Sequence, residues 1–194
     1  MGSDPTEAHY LVPADERLNV FALVIYIADP LGLFLDDLRR ELAPDYNPHA
    51  HVSVLPPRPL PVDWPEASEQ ARSLAEGWTP FDVELTEIGI FPGTNVIYIE
   101  VGKGGAELKS LHGAMNTGPL GFDEPFPYHP HVTLAQEIPP AQVTEVYELA
   151  RKRWREFRGG RTFRADRTTF VQSTLQNCWI DLAEYSLGAM PAKK

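Results

Sequence analysis

Two short segments of this sequence place a histidine two residues before a hydroxyl side chain. They read His51-Val52-Ser53-Val54 and His131-Val132-Thr133-Leu134. Side chains alternate between the two faces of a β-strand, so in each segment the imidazole and the hydroxyl share one face while the apolar residues anchor the other. An imidazole can carry a proton near pH 7, and a hydroxyl can donate a hydrogen bond to an anionic oxygen. Two such strands facing each other across a cleft would form a paired-histidine phosphate site.

A further histidine precedes each signature by two residues, at His49 and His129. These side chains would share the faces of the signature residues, so four imidazoles could converge on Zn²⁺ or Mn²⁺. A His-ligated metallohydrolase is therefore one alternative, although such catalytic sites usually add a carboxylate and neither His-x-His segment has an adjacent Asp or Glu. A non-catalytic module that binds nucleotides or RNA ends could retain the same residues and is the other alternative.

The spacing of apolar residues places each signature on the middle strand of a strand-helix-strand-helix-strand unit. The two units cover about 18–90 and about 95–187. Predicted strands lie at 18–28, around His51, at 81–90, at 96–101, around His131, at 162–172 and at 178–187, and predicted helices lie at 31–42, from 63 to Gly77, at 106–116 and from Pro139 to Gly159. A duplicated unit commonly packs about a pseudo-twofold axis, which would make the two middle strands neighbours.

Composition limits the classes of partner. The chain has 194 residues, a formal net charge of −10 and one cysteine, Cys178. One domain fits this length, and the acidic balance argues against long duplex nucleic acid but allows a small phosphate ester or an RNA terminus in a cleft of different local charge. No intrachain disulfide can form, which fits a reducing cytoplasm. The basic stretch 151–167 is interpreted as a solvated helix face and the strand that follows it.

The ends of the chain are predicted to be loose, with a flexible leader at 1–17 and a tail at 189–194. The apolar run Val20–Ala28 is too short to span a membrane, so we expect no membrane association. We expect the protein to be a monomer.

These segments resemble the 2H phosphoesterase superfamily, the group of 2′-5′ RNA ligases and cyclic phosphodiesterases, whose hallmark is two His-x-[Thr/Ser]-x signatures. The likeness covers roughly residues 18–188. Besides the signatures, it is carried by Gly89–Gly93 leading into Val96–Val101, by Phe126–Pro130, and by Phe170–Ser173 with Trp179–Leu187. The resemblance implies a single α+β domain over 18–188, in which the duplicated units form two lobes with antiparallel sheets around a central cleft and with helices outside.

The resemblance also implies an activity. The expected reaction is metal-independent hydrolysis of 2′,3′-cyclic phosphodiesters, on a nucleotide or an RNA end, to a 2′-phosphate, with reverse 2′-5′ RNA ligation as a further capacity. The catalytic roles carry over to His51, Ser53, His131 and Thr133, with His131 as general base and His51 as general acid. No cofactor and no metal are expected.

Two departures from the superfamily pattern affect substrate recognition. Ser53 stands where many members have threonine, which keeps the donor but loosens its rotamer. Gln136 stands where members often carry arginine shortly after the second signature, which argues against a cationic contact to a longer RNA strand.

Four further residues are predicted to bind substrate. His49 and His129 would lie beside the signature pair, and Tyr128 and Arg58 flank the signatures, where they could contact a base or a phosphate.

Overall fold

The computed structural model describes residues 12–43 and 49–188. Within them, the chain forms eight strands and four α-helices, and short 3₁₀ turns lie at Ala14–Glu16 and Gly118–Leu120. The strands are β1 (Arg17–Tyr26), β2 (His51–Arg58), β3 (Phe81–Ile90), β4 (Ile97–Val101), β5 (His131–Ala135), β6 (Thr162–Ala165), β7 (Arg167–Thr174) and β8 (Trp179–Ser186). The helices are α1 (Leu31–Leu42), α2 (Trp64–Glu76), α3 (Gly105–Met115) and α4 (Val143–Glu156).

The strands form two four-stranded antiparallel sheets, in the orders β2-β1-β7-β8 and β5-β4-β3-β6. The predicted α+β class and the two antiparallel sheets are confirmed. In each sheet the signature strand, β2 or β5, lies at the edge, and the two edge strands contact each other. The two middle strands are therefore neighbours, as predicted.

The sheets do not correspond to the two halves of the chain. β3 comes from the first predicted unit but lies in the second sheet, whereas β7 and β8 come from the second unit and lie in the first sheet. The short turn after Ile90 explains the first exchange, because a tight connection makes consecutive strands antiparallel neighbours. The predicted strand 162–172 is in fact two strands, since the chain crosses from one sheet to the other at Asp166.

The helices interlock the two sheets. α1 follows β1 of the first sheet but packs against β5 of the second, and α3 follows β4 of the second sheet but packs against β2 of the first. Leu31, Leu35 and Leu38 of α1 and Leu108 and Leu111 of α3 recur at helical spacing along the sequence, and all five are buried. One continuous core therefore lies behind both signature strands and holds them against each other.

The sequence of β1 is apolar without alternation because both faces of the strand contact apolar groups. Phe21, Leu23 and Ile25 face the main core, whereas Ala22 and Val24 belong to a small second cluster with Val171 on the opposite face of the sheet. Both faces of the strand are therefore covered by apolar groups, one by the core and one by the floor of a cleft.

The termini differ in part from expectation. Residues 1–11 of the predicted leader and the tail 189–194 lie outside the described residues. The rest of the leader is ordered, because Ala14–Glu16 forms a 3₁₀ turn, Arg17 begins β1 and the carbonyl of Glu16 accepts a hydrogen bond from the amide of Leu175. No helix in residues 12–43 and 49–188 is long and apolar enough to cross a membrane.

Candidate active site

All four signature side chains line one cleft between the two sheets. His51 and Ser53 enter it from β2, and His131 and Thr133 enter it from β5. The intervening residues point into the core, where Val52, Val54 and Val132 are fully buried and Leu134 is nearly so. Alternation along each strand thus presents an imidazole and a hydroxyl to the cleft from each side.

The two imidazoles are held in the same way. Nδ1 of His51 lies 2.6 Å from the carbonyl oxygen of His49, and Nδ1 of His131 lies 2.6 Å from the carbonyl oxygen of His129. A carbonyl oxygen can only accept, so Nδ1 carries the proton and donates in both cases. In the neutral ring, Nε2 is therefore unprotonated and can accept a proton.

Both imidazoles favour the neutral form in the free protein. Burial lowers the pKa of His51 to about 4, and the positive charge of Arg39 acts in the same direction. Burial also lowers the pKa of His131, but the carboxylate of Glu100 opposes that change. A bound phosphodiester anion would raise both pKa values, because an opposite charge at this range favours the imidazolium.

Arg39 is a site residue that the sequence interpretation missed. It lies on α1, is only 3 % exposed and lines the cleft, and its Nη1 donates to the carbonyl oxygen of His49 at 2.8 Å. Its spacing was informative, because Arg39 follows Leu35 by four residues and precedes Leu42 by three. A charged residue on an apolar helix stripe must find a partner inside the protein.

Tyr26 and Asp181 were also missed. The ring of Tyr26 lies 4.4 Å from that of His49 and 6.4 Å from that of His51, between centroids. Its hydroxyl donates to Oδ1 of Asp181 at 2.6 Å, and burial together with this carboxylate raises the pKa of Tyr26 so that the phenol stays neutral. No local pattern indicates this contact, because the two residues are 155 positions apart in the chain.

The second half of the site has different neighbours. Glu100 lies opposite His131 in the β4–β5 register, and its carboxylate lies 3.0 Å from Nε2 of His129. Phe91 stacks on Tyr98 at 4.0 Å and meets the ring of His131 edge-on at 4.9 Å. The predicted substrate-binding residues His49 and His129 therefore do line the cleft, but each ring also packs against protein groups.

Tyr128 lines the cleft as predicted, but it also joins the two lobes. Its hydroxyl donates to the carbonyl oxygen of Ser53 at 2.7 Å, and its ring stacks on His112 at 3.9 Å. Nδ1 of His112 in turn lies 2.8 Å from the carbonyl oxygen of Val54. Since Tyr128 lies three residues before β5, it fixes the approach to the second signature against the strand of the first.

The side chain of Arg58 does not line the cleft. Its side chain is 2 % exposed and forms an ion pair with Glu124. Its Nη1 also donates to Oδ1 of Asn116 at 2.7 Å and to the carbonyl oxygen of Leu120 at 3.0 Å. These bonds tie the end of β2 to the chain between α3 and β5, which indicates a structural role in place of the predicted substrate contact.

Replacing Arg58 should therefore affect stability more than substrate binding. We expect Arg58→Met to lower the free energy of unfolding by about 3 kcal/mol, because it leaves a largely buried carboxylate without its partner. Urea unfolding measures this, with Arg72→Met as the control, since Arg72 forms an ion pair at the exposed surface of α2 and should leave the midpoint nearly unchanged. Unchanged unfolding with a raised KM would instead make Arg58 a substrate contact.

The cleft is large enough for a nucleotide. Its volume is about 940 Å³, near the upper end of the range for small-molecule sites. Its lining is mainly apolar and includes Phe91, Phe126 and Trp179. Gln136, which stands where members of the superfamily often carry arginine, also lines the cleft. Flat apolar side chains of this kind suit a nucleobase, while the histidines and hydroxyls at the centre suit its phosphate.

Other polar features lie elsewhere. Several arginines of the basic stretch 151–167 form surface ion pairs, among them Arg153 with Glu41, Arg164 with Asp82 and Arg167 with Glu184.

Across the described ranges, no three His, Cys, Asp or Glu side chains are grouped so that they could hold a metal ion. The alternative in which four imidazoles converge on a metal therefore receives no support from the geometry of the described residues.

Fold and site together define a two-sheet α+β protein whose acid-base groups are duplicated across a central cleft. Residues 27–177 match the model of the 2′-5′ RNA ligase superfamily. The chain therefore belongs to this superfamily, that of the 2H phosphoesterases, as the sequence resemblance implied.

Relatives and solved structures agree with this membership. A protein of Bacillus cytotoxicus, named provisionally as a phosphoesterase, is 29 % identical over 130 residues, or 63 % of this chain and 74 % of that protein. A similarly named protein of Geobacillus thermodenitrificans is 25 % identical over 108 residues, or 50 % of this chain and 61 % of that protein.

Among solved structures, TT0787 of Thermus thermophilus matches with a TM-score of 0.62 at 18 % identity, over 88 % of this chain and 100 % of that one. LigT of E. coli in its apo form matches with a TM-score of 0.61 at 14 % identity, over 89 % and 98 %. At these identities the likeness establishes the fold. LigT has also been crystallised with 3′-AMP, with NADP+ and with ATP.

Proposed function

We propose that this protein hydrolyses 2′,3′-cyclic phosphodiesters, of a nucleotide or an RNA end, to a 2′-phosphate by paired-histidine acid-base catalysis that needs no metal. The observation that carries the proposal is the duplicated dyad. Each signature histidine donates from Nδ1 to a carbonyl oxygen two residues earlier and keeps Nε2 for the cleft, with a hydroxyl beside it on the same strand face.

This arrangement fits the chemical demands of the reaction. Hydrolysis needs water to lose a proton on one side of phosphorus and the departing oxygen to gain one on the other, and two imidazoles across a cleft can do both. In this proposal the hydroxyls of Ser53 and Thr133, which line the cleft, donate to the non-bridging oxygens, where charge accumulates in the transition state. With an RNA 5′-hydroxyl in place of water as the nucleophile, the same two proton transfers would break the bond from phosphorus to the 3′ oxygen and form a 2′-5′ linkage, which makes RNA ligation a second reaction to assay.

The size and lining of the cleft support a small nucleotide as the substrate. The nucleotides with which LigT has been crystallised support the same class of ligand for this chain. We further propose that the protein acts as a monomer in the cytoplasm.

The direct test is turnover of a panel of 2′,3′-cyclic nucleotides and cyclic-phosphate-ended RNA, with the product position read by phosphorus NMR. We expect a 2′-phosphate product and equal rates before and after dialysis against EDTA. Activity that falls on chelation and returns with Zn²⁺ or Mn²⁺ would indicate the metallohydrolase. Binding without turnover across the panel would indicate a non-catalytic nucleotide-binding module.

A further inference from the structure

The strand of the first signature carries an extra residue directly after its hydroxyl side chain. In the register of β1 with β2, Val24 lies opposite Ser53. The next pair toward the start of β1 joins Leu23 to Leu55, so Val54 is left unmatched. Val54 and Leu55 are adjacent and yet both buried, which departs from the alternation of a regular strand. An extra residue of this kind is a β-bulge, which bends the strand and can redirect a side chain beside an active site.

The strand of the second signature has the same bulge. In the register of β4 with β5, Tyr98 lies opposite Thr133. The next pair joins Ile97 to Ala135, so Leu134 is unmatched, and it is buried beside the equally buried Ala135. A bulge directly after the hydroxyl residue is thus common to both copies. The groups that hold each bulge also hold the backbone from which the hydroxyl side chain extends.

The bulge of β2 is held from outside its own sheet. β2 is an edge strand, and consecutive carbonyl groups of a regular strand point to opposite edges. The carbonyl oxygen of Ser53 accepts a hydrogen bond from the hydroxyl of Tyr128 at 2.7 Å. The carbonyl oxygen of the next residue, Val54, accepts from Nδ1 of His112 at 2.8 Å. Both carbonyl groups at the bulge are therefore bonded to side chains that come from α3 and from the segment before β5.

The two donors support each other. The ring of His112 stacks on that of Tyr128 at 3.9 Å between centroids, with an angle of 2° between the ring planes. Nε2 of His112 lies 3.8 Å from the carboxylate of Glu124, which forms an ion pair with the buried Arg58. Burial and the negative charge of Glu124 raise the pKa of Tyr128, so its hydroxyl keeps the proton that it donates.

We propose that Tyr128 and His112 are positioning residues that hold the bulge of β2 and thereby aim the hydroxyl of Ser53 into the cleft. Ser53 depends on such support, because serine lacks the β-branch that restricts χ1 of threonine and its backbone must supply the remaining order. In the reaction the Ser53 hydroxyl donates to a non-bridging oxygen, and neither positioning residue needs to touch the substrate. The inference rests on the proposed function, since it concerns the placement of one group in that reaction.

Removing the Tyr128 hydroxyl tests the proposal. We expect Tyr128→Phe to lower kcat for a 2′,3′-cyclic nucleotide by about tenfold, because small displacements of an aligned group are costly. KM should change by less than about twofold, since the Ser53 hydroxyl acts mainly on charge that develops in the transition state. A raised KM with unchanged kcat would make Tyr128 a substrate contact and would overturn the proposal.

The matched control is Tyr147→Phe. It also removes a tyrosine hydroxyl that donates to a backbone carbonyl, that of Ile88 at 3.4 Å, but Tyr147 does not line the cleft. Tyr147→Phe should leave kcat and KM near their wild-type values. A loss of kcat as large as that of Tyr128→Phe would show that the effect is not specific to the bulge and would contradict the proposal.

A double-mutant cycle shows whether Tyr128 acts through Ser53. In the Ser53→Ala background the hydroxyl to be aimed is absent, so adding Tyr128→Phe should lower kcat by less than about a further twofold. A second loss of about tenfold, equal to the loss in the wild-type background, would place the effect of Tyr128 elsewhere and would overturn the proposal.

His112 is tested by a pair of substitutions. Asparagine can donate from its side-chain amide to the carbonyl oxygen of Val54, whereas leucine cannot. His112→Leu should therefore lower kcat by about tenfold, and His112→Asn should recover most of that loss. Wild-type kcat in His112→Leu, or equal losses in the two variants, would contradict the role of this hydrogen bond.

Backbone hydrogen exchange measures the bulge itself, independently of turnover. Tyr128→Phe should speed exchange of the amides at 53–55 and leave those at 169–172 of β7 unchanged, because only the edge strand loses a bond. Unchanged exchange at 53–55 would overturn the proposal even if kcat fell. Absence of turnover in the wild-type protein would instead overturn the proposed hydrolysis, and hydrogen exchange would still decide whether Tyr128 holds the bulge.

Discussion

Replacing either signature histidine by alanine is expected to reduce kcat/KM by about 10² to 10⁴-fold. His51 and His131 would each supply one of the two proton transfers in a single step. The double variant should therefore lose less than the product of the two single losses, because residues that act as a unit are not additive. Steady-state kinetics on a 2′,3′-cyclic nucleotide, with all variants at one pH, measures these losses.

The control for this prediction is a side chain that preserves the local structure without titrating. In His51→Asn the side-chain amide can still donate to the carbonyl oxygen of His49, so the bond that orients His51 is retained while proton transfer is lost. His51→Asn should therefore be as inactive as His51→Ala and should unfold at a similar urea concentration to wild type. Activity within about threefold of wild type in either alanine variant would contradict the paired-histidine mechanism.

Removing a signature hydroxyl is expected to slow turnover by about 10 to 10³-fold, because each would stabilise developing negative charge on a non-bridging oxygen. Among the described residues, no protein group engages the hydroxyl of Ser53 or Thr133 in a hydrogen bond, so both are available to the substrate. The loss should appear mainly in kcat, since charge on these oxygens grows in the transition state. Ser53→Ala and Thr133→Ala test the two positions in the same assay.

Two further substitutions at Thr133 separate hydrogen bonding from packing. Thr133→Ser keeps the donor and should be mild, whereas Thr133→Val keeps the shape, removes the donor and should match Thr133→Ala. If Thr133→Ser and Thr133→Ala were equally damaging, the methyl group would be the functional part of the side chain and the hydroxyl would not.

The short periods of strands and helices predicted which side chains share a face in several elements of this protein. The two-residue period of a β-strand predicted that His51 shares a strand face with Ser53 and that His131 shares one with Thr133. In the structure all four side chains line one cleft. The helical period predicted the buried positions of α1 and α3 because each helix buries one stripe. Local sequence is sufficient for such features, since the backbone geometry within a single element decides which side chains share a face.

Element boundaries and partners were less predictable. The sequence indicated that Thr162 begins a strand, but nothing local showed that the chain changes sheets at Asp166. The placement of β7 and β8 in the first sheet follows from the long-range pairing of β7 with β1. Arg58 was misread for a related reason, because residues far along the chain, Asn116 and Glu124, turn it inward.

The sequence by itself determined which groups could do the chemistry, and the tertiary structure decided what surrounds them. Residue type and alternation produced two nearly identical dyads, which is why the sequence left their proton roles to a family resemblance. Packing of α1 brought Arg39 behind His51, and β-sheet register brought Glu100 behind His131. A pKa depends on burial and on charges a few ångströms away in space, and the sequence does not contain those distances until the chain has folded.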